Sequence, residues 1–172
     1  MLEAPTVPVR IGLNAAIVAV SGRAPKILCV PADPGAGEAD GLPYGTFDPA
    51  RHRTFEAALR DSVESQTALH LGYVEQLYTF GDRGRHRRPG DDAAHAVSVG
   101  YLALTRTDAE PGEALAETGA RWRDWYFLFP WEDWRDGRPA ALDTVVLPRL
   151  AAWTTEAPAG EVVARRQARA RL

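Results

Sequence analysis

The chain has 172 residues, a length that suits one well-packed domain and is short for two of ordinary size. Its hydrophobic fraction of 45% and charged fraction of 25% are those of an ordinary globular protein, and no apolar run approaches the roughly 18–20 residues of a transmembrane helix. The net charge of −3 gives no general attraction to nucleic acid. Cys29 has no intrachain disulfide partner and the N-terminus lacks a secretory signal pattern, so we expect a cytoplasmic protein.

Two strands are predicted at the start of the chain. Apolar and β-branched residues over 8–20 end at the pair Ser21-Gly22, which is typical of a strand followed by a tight turn. The short apolar run KILCVP, residues 26–31, predicts a second strand that pairs with the first. Residues 32–49 are rich in glycine and proline, so we expect a long loop without regular structure, of the kind that often carries function.

A helix is predicted next, over FEAALRDSVESQTAL at residues 55–69. Its apolar residues recur every three or four positions, and Thr54 is suited to cap its N-terminus. Strands are predicted at 71–80 and, most clearly, at 96–105. A polar, basic loop connects these two strands.

The last third of the chain is less regular. Residues 108–119 predict a solvated connection, and 121–134 hold four of the five tryptophans, which favours packing over a recognition surface. Helical spacing over 140–153 is interrupted by Pro148, which should kink or divide the helix. The basic tail at 161–172 predicts a further helix. Strands before and after a central helix, with a second helix late, describe an α/β or α+β fold.

Four segments together resemble the Nudix domains of the ADP-ribose pyrophosphatase type. They are LPYGTFDP at 42–49, the helix at 55–69, LYTFGDRGR at 77–85 and VSVGYLAL at 97–104. The resemblance covers roughly residues 9–155 and is closest to the Nudix-related transcriptional regulators of NAD metabolism, which join such a domain to a C-terminal winged helix. It implies an α/β/α sandwich with a mixed sheet.

The Nudix signature ends in Arg-Glu-apolar-x-Glu-Glu-x-Gly-apolar, and its glutamates converge on one helical face to hold Mg²⁺ ions against a pyrophosphate. The preferred alignment is anchored at Thr67-Ala68-Leu69 and puts Ala68 at the glycine, which normally gives an unstrained left-handed helix end. The arginine and the three glutamates then fall, in order, on Asp61, Ser62, Ser65 and Gln66. This alignment leaves no acidic metal ligand.

An alignment shifted by one residue matches Arg60, Asp61 and Glu64 to the arginine, the first glutamate and the first member of the pair. It still puts Ser65 at the second member. The metal cluster is incomplete in either alignment, so we expect no catalytic residues and no metal ligands, and hydrolysis should be slow or absent. The simpler interpretation of Asp61 and Glu64 is a solvated helix face.

Nucleotide contacts are expected from two loops. In the resembled family the loop after LYTF borders the nucleotide site, so Arg83 and Arg85 are candidates to contact phosphates or ribose, although a solvated loop explains them equally well. Tyr44 is suited either to stack on an adenine or to cover the edge of the core. The candidate ligand-binding residues are Tyr44, Tyr78, Asp82, Arg83 and Arg85.

These features predict a catalytically defective Nudix domain at residues 1–155 that binds an NAD-related nucleotide, such as ADP-ribose, as the sensor part of a transcriptional regulator of NAD metabolism. Residues 156–172 are then a basic linker to a winged-helix domain beyond Leu172, and DNA is contacted only through that domain. The resemblance further implies a homodimer. No cofactor is required and no membrane is involved.

Two other functions remain open at this stage. One is a Mg²⁺-dependent pyrophosphatase that acts on ADP-ribose or a similar nucleoside diphosphate derivative, with ligands such as Asp61, Glu64, Glu75 or Asp82. The other is a protein-interaction module without a small ligand.

Overall fold

The computed structural model describes residues 8–32, 40–82, 95–106 and 112–156, together with Arg166 and Arg169. The chain divides into two compact units, Met1–Asp124 and Trp125–Leu172. The first unit carries the sheet and the long helix, and the second is helical. The predicted boundary between residues 155 and 156 stays a prediction, because so little of the tail is described.

Seven strands in the described part of the chain form one mixed sheet. They are β1 (Val9–Ser21), β2 (Ala24–Pro31), β3 (Asp40–Gly41), β4 (Tyr44–Thr46), β5 (Val74–Phe80), β6 (His95–Thr105) and β7 (Arg121–Asp124). The order is β3-β2-β1-β6-β5, with β4 added to β1 and β7 added to β2. β1 and β6 run parallel and the other pairs are antiparallel. The predicted α/β class and the mixed sheet are confirmed.

β1 is the strand on which the sheet is built. On one side it pairs with β6 along almost its full length, from Val9 opposite His95 to Ala19 opposite Thr105. Its other edge is divided, because the first half pairs with β4 and the last residues pair with β2. The hairpin to β2 needs a left-handed residue in its two-residue turn, and Gly22 supplies it with φ of 63°.

α1 (Phe55–Thr67) covers one face of this sheet. The Oγ1 atom of Thr54 accepts a hydrogen bond from the backbone N–H of Ala57 at 3.1 Å, which is the predicted N-cap. Apolar side chains of the helix and of alternate strand residues are fully buried together, among them Ala58, Leu59, Val63, Leu13, Ala15 and Ile17. Removing this apolar surface from water is the main driving force for the packing of α1 on the sheet.

The structure corrects two predictions about regular structure. Residues 32–49 are not structureless, because β3 and β4 form ladders with β2 and β1. These are long-range backbone pairings that local glycine and proline content does not reveal. Residues 112–117 form α2 (Gly112–Glu117) rather than a solvated connection, and Leu115 of this helix is buried in the core. Residues 33–39 and 107–111 lie outside the described part of both segments.

The second unit consists of short helices. α3 (Trp125–Leu128) is followed by a 3₁₀ turn (Pro130–Glu132), and a π-helical turn (Leu142–Val146) leads into α4 (Leu147–Thr155). The hydrogen-bonding pattern changes just before Pro148, which lies in the first turn of α4, where a missing N–H is tolerated. None of the helices in the described residues has the length and apolar character of a membrane span.

The tryptophans at 121–134 have mixed environments. Trp122 packs against the core of the first unit. Trp125 contacts Phe129, with ring centroids 4.8 Å apart. Trp131 and Trp134 are exposed, so packing accounts for only part of this cluster.

Asp40 connects β3 to β7, the two short strands that both pair with β2. Its Oδ1 accepts a hydrogen bond from Nε of Arg121 at 2.8 Å, and its Oδ2 accepts one from Nε of Arg123 at 2.5 Å. Burial acts to raise the pKa of Asp40, but the two guanidinium groups outweigh it, and the net effect lowers the pKa below its ordinary value. The carboxylate form is therefore stabilised in the folded chain.

We expect Asp40→Asn to lower the free energy of unfolding at pH 7 by about 1–2 kcal/mol. Because the folded pKa of Asp40 is below the unfolded value of about 3.9, the stability from this carboxylate is present above pH 3.9 and is lost as pH falls through the folded pKa. The difference in the free energy of unfolding between wild type and Asp40→Asn should therefore shrink below about pH 4. Urea unfolding across this range measures it.

Asp133→Asn is the control for Asp40→Asn, because Asp133 pairs only with the exposed Arg135 two residues away in the described structure. Its effect should be smaller. A stability loss for Asp40→Asn that stays equal at pH 7 and in acid would contradict this account of Asp40.

Ala68→Gly should raise the free energy of unfolding by about 0.5–1 kcal/mol. Ala68 ends α1 with φ of 56° and ψ of 17°, a left-handed conformation that strains any residue with a Cβ. The matched control is Ala57→Gly inside α1, which should lower the free energy of unfolding by about the same amount. Thermal unfolding of the two variants measures whether each change raises or lowers the free energy of unfolding. A loss of stability in Ala68→Gly argues against strain at this position.

Candidate functional site

The side chain of Gln66 binds the backbone of β4. Its Nε2 donates a hydrogen bond to the carbonyl of Tyr44 at 2.7 Å, and its Oε1 accepts one from the Tyr44 N–H at 3.2 Å. The same Nε2 donates to the carbonyl of Ser62, one turn earlier in α1, at 2.8 Å. We call the two bonds between Gln66 and Tyr44 the Gln66 clamp.

The Gln66 clamp completes the outer edge of β4. The N–H of Ala15 donates to the carbonyl of Pro43 at 3.0 Å, and the N–H of Phe47 donates to the carbonyl of Ile11 at 2.9 Å. Odd-numbered residues of this segment therefore direct their backbone groups toward β1, and Tyr44 directs its groups away from it. The primary amide of Gln66 pairs with both of them, as a neighbouring strand would.

α1 and β4 approach each other closely beside the clamp. A Cβ atom at Gly45 would overlap the Oγ of Ser62 and lie 2.6 Å from its Cβ, so position 45 requires glycine. The Oγ of Ser62 donates to the carbonyl of Ala58 at 2.8 Å, and the Oγ of Ser65 donates to the carbonyl of Ser62 at 2.9 Å. Both serine hydroxyls are thus hydrogen-bonded to their own helix.

The face of α1 that meets β4 does not fit a divalent cation. Mg²⁺ binds through carboxylate and other oxygen ligands at short, near-octahedral distances. This face instead presents the hydroxyl of Ser62, and an amide of Gln66 whose nitrogen donates to two carbonyls and whose oxygen is already bonded to β4. Among the described residues, no three His, Cys, Asp or Glu side chains are grouped so as to hold a metal ion.

Asp61 and Glu64 of α1 pair with histidines instead, and Glu56 pairs with Arg60. The carboxylate of Asp61 lies 3.3 Å from Nε2 of His52, and that of Glu64 lies 3.3 Å from Nδ1 of His70. The Asp61 and Glu64 side chains are 69% and 53% exposed, which agrees with a solvated helix face. Glu75 lies on β5 and accepts a hydrogen bond from a neighbouring tyrosine.

The end of α1 distinguishes the two alignments of the Nudix signature. Ala68 is the only non-glycine residue with positive φ in the described part of the chain, and its N–H donates to the carbonyl of Glu64 at 2.8 Å. The preferred alignment puts the signature glycine at Ala68, whereas the shifted one puts it at Thr67, which is still helical. The left-handed geometry at Ala68 therefore supports the alignment in which the glutamates are replaced by Ser62, Ser65 and Gln66.

The sheet face opposite α1 carries two rows of residues that cross four strands. Paired residues of neighbouring strands share a face, and residues next to those that contact α1 point away from it. One row is Tyr44, Asn14, Gly100 and Tyr78, and the next is Thr46, Gly12, Ser98 and Phe80. We call these eight residues the trough.

Aromatic rings form the two sides of the trough. The ring of Tyr44 lies over Gly12, because a Cβ there would be 2.6 Å from Cε2 of Tyr44. On the other side, the rings of Tyr78 and Phe80 meet edge to face with centroids 4.8 Å apart. Tyr44 and Tyr78 are 46% and 63% exposed, so both rings are accessible. Accessible rings of this kind can stack on a planar heterocycle.

The structure brings some of the predicted ligand-binding residues together. Tyr44 and Tyr78 lie in the same row of the trough, and Asp82 follows the end of β5 by two residues. Arg83 and Arg85 lie outside the described residues, so their phosphate contacts stay predictions. The alternative ligands Asp61 and Glu64 are directed toward histidines rather than toward the trough.

Sequence reasoning missed the floor of the trough. Its middle consists of Gly12, Asn14, Ser98 and Gly100, and Nδ2 of Asn14 donates to Oγ of Ser98 at 2.6 Å. A signal was present, because small or polar residues occupy every second position at these points of two otherwise apolar strands. The hydrogen bond between Asn14 and Ser98, however, joins residues 84 positions apart.

Solved structures similar to this chain are Nudix proteins. NrtR of Shewanella oneidensis aligns with a TM-score of 0.56 and 23% identity over 85% of this chain and 63% of that chain. The NUDIX domain of the same protein, complexed with ADP ribose, aligns with a TM-score of 0.56 and 20% identity over 74% of this chain and 80% of that chain. NrtR complexed with a 27mer DNA aligns with a TM-score of 0.56 and 21% identity over 85% of this chain and 63% of that chain.

No family model matches the sequence, and no curated protein does. The structural similarity shows that the chain has the Nudix fold, which confirms the fold that the sequence resemblance implied. The chain spans 63% of the length of the NrtR chain it matches.

Gln66→Glu should lower the free energy of unfolding at pH 7 by about 1–2 kcal/mol. A carboxylate cannot donate to the carbonyls of Tyr44 and Ser62, and its charge faces both oxygens. Chemical denaturation with and without Mg²⁺ measures the loss.

Ser65→Glu is the matched control for Gln66→Glu, since Ser65 is exposed and one residue away on α1. Its effect should stay within about 0.5 kcal/mol. If Gln66→Glu is as stable as wild type, or if Mg²⁺ raises its stability, then the clamp does not have the role described here.

Proposed function

We propose that this chain is a catalytically defective Nudix domain that binds an NAD-related nucleotide, with ADP-ribose as the leading candidate, and that it is the sensor part of a transcriptional regulator of NAD metabolism. The observation that carries the proposal is the Gln66 clamp. Gln66 occupies a position at which the Nudix reaction needs a metal ligand, and its side chain makes an uncharged contact with the backbone instead.

The proposed loss of catalysis follows from the lack of negatively charged side chains at the metal-binding positions of the signature. Attack on a pyrophosphate requires cations that bridge its oxygens and polarise the phosphorus, and those cations require carboxylates. Ser62, Ser65 and Gln66 supply none, and their hydrogen bonds are made within α1 or to β4. The residual acids Asp61 and Glu64 pair with histidines, so they are poor substitutes.

Nucleotide binding is supported by the trough. Its aromatic sides offer stacking surfaces for a base, and its floor offers the hydrogen-bonding groups of Asn14 and Ser98. The loop predicted to carry phosphate-binding Arg83 and Arg85 starts directly after β5, whose residues Tyr78 and Phe80 line one side. The fold shared with a NUDIX domain that was crystallised with ADP ribose favours the same class of ligand.

A sensor also needs a connection from its ligand to the rest of the molecule, and Tyr44 supports one. Its ring forms one side of the trough, while its backbone is bonded to α1 through the Gln66 clamp. A ligand that stacks on Tyr44 can therefore favour one position of α1 over another, which is the differential binding that regulation requires. We propose that the regulator is a cytoplasmic homodimer and that its DNA contacts are made by a domain outside this chain.

ADP-ribose should bind the purified chain with the same affinity in EDTA and in Mg²⁺, because no ligand contact in this account passes through a metal. Isothermal titration calorimetry measures both affinities. No AMP should appear during prolonged incubation with Mg²⁺. If ADP-ribose, NAD and related nucleotides all fail to bind, the sensor proposal is wrong, and steady Mg²⁺-dependent AMP release that Glu64→Gln abolishes would establish a hydrolase instead.

Tyr44→Ala should weaken ADP-ribose binding by about tenfold or more, since stacking of a base on an aromatic ring contributes about 1–3 kcal/mol. Tyr73→Ala is the matched control, because Tyr73 is exposed and precedes β5 outside the trough. It should leave the affinity unchanged. Equal affinities of the two variants would exclude Tyr44 from the nucleotide site.

A further inference from the structure

We infer that Asn14 and Ser98 determine which base the trough accepts, and that they select a 6-amino purine, the adenine type, over a 6-oxo purine. This inference rests on the proposed nucleotide-binding function and adds to it the two side chains that select the base. It is carried by the position of the two side chains in the trough and by the hydrogen bond between them.

Asn14 and Ser98 lie at the centre of the trough. They occupy one diagonal of a block of four residues on β1 and β6, and Gly12 and Gly100 occupy the other diagonal. Aromatic rings border both glycines, because a Cβ at Gly12 would lie 2.6 Å from Cε2 of Tyr44 and a Cβ at Gly100 would lie 3.8 Å from Cε2 of Phe80. Tyr44 borders this block on β4, and Tyr78 and Phe80 border it on β5, so the polar pair lies between aromatic surfaces. A flat ring held against those surfaces would have its edge over the polar pair.

The hydrogen bond between Asn14 and Ser98 determines which donors and acceptors of this pair remain for a ligand. Nδ2 of Asn14 uses one hydrogen to donate to Oγ of Ser98 at 2.6 Å. The second amide hydrogen of Asn14 and the hydroxyl hydrogen of Ser98 then remain as donors, while Oδ1 of Asn14 remains as an acceptor. In this orientation of the amide, the pair presents an acceptor with donors beside it.

This pattern matches an amino purine. Adenine carries an amino donor next to a ring-nitrogen acceptor, which is the complement of an asparagine amide. A 6-oxo purine carries an oxygen in place of the amino group and a hydrogen on N1, so both groups would meet the Asn14 amide with the wrong polarity unless the amide turned over and exchanged the bond that Nδ2 donates to Ser98. A site built to bond a polar group rejects an analogue that leaves the site's buried groups unpaired. Ser98 is 9% exposed and Asn14 is half-buried, so water would compensate only partly.

The test compares ADP-ribose with inosine diphosphate ribose, whose base carries an oxygen in place of the 6-amino group and a hydrogen on N1. Calorimetry on the purified chain should give about tenfold tighter binding of ADP-ribose. Asn14→Ala should bring the ratio of the two affinities close to one, mainly by weakening ADP-ribose. Ser98→Ala, which removes the bond that holds the amide, should also lower the ratio and provides a second variant if Asn14→Ala does not fold.

Thr46→Val is the matched control, because Thr46 lies in the same trough but outside its central block. It should leave the affinity ratio unchanged. Equal binding of both nucleotides to wild type, or an unchanged ratio in folded Asn14→Ala and Ser98→Ala, overturns the inference while the proposed function stands. If neither nucleotide binds wild type, the proposed function fails and the inference fails with it.

Discussion

The contact on which the site depends is the pair of hydrogen bonds from the Gln66 amide to the backbone of Tyr44. β4 is only three residues long and has β1 on one side. Without a partner on the outer edge of β4, the N–H and carbonyl of Tyr44 would form hydrogen bonds only with solvent. Gln66 supplies that partner from α1, and the glycine at position 45 lets the two elements come close enough for it. An amide fits here because it donates and accepts at once, which a carboxylate cannot do.

In the proposed function, this contact joins the loss of metal binding on α1 to nucleotide binding in the trough. The helix end at Ala68 has the left-handed geometry of the Nudix signature, so the backbone frame of a metal-binding helix is present. On this helix, the hydroxyls of two serines are bonded along the helix and one glutamine is bonded to β4. On the opposite face of the sheet, the same β4 residue presents its ring to the trough. Tyr44 therefore belongs to both surfaces.

Local sequence patterns predicted the parts of the fold that local interactions determine. The cap at Thr54, the apolar spacing of α1 and the strand at β6 depend on neighbouring residues, and all three are found as expected. β3 and β4 were missed because their strand character comes from pairing with distant backbone rather than from their own composition. The Gln66 clamp joins residues 22 positions apart, and nothing in the letters around Gln66 marks its partner. The resemblance identified the positions that lack glutamate, but only the structure revealed what the replacing side chains do.

The central claim is that the Gln66 clamp occupies the position of the Nudix metal cluster and that the trough binds a nucleotide without metal. Two-dimensional ¹H–¹⁵N NMR of the purified chain tests it most directly, by following the Gln66 side-chain amide and the backbone amides of the trough. The account predicts that Mg²⁺ alone leaves the Gln66 and Ser62 signals unchanged, and that ADP-ribose without Mg²⁺ shifts those of Asn14, Gly100 and Tyr78. Shifts at Gln66 and Ser62 on addition of Mg²⁺, with no response of the trough to ADP-ribose until the metal is present, would contradict it.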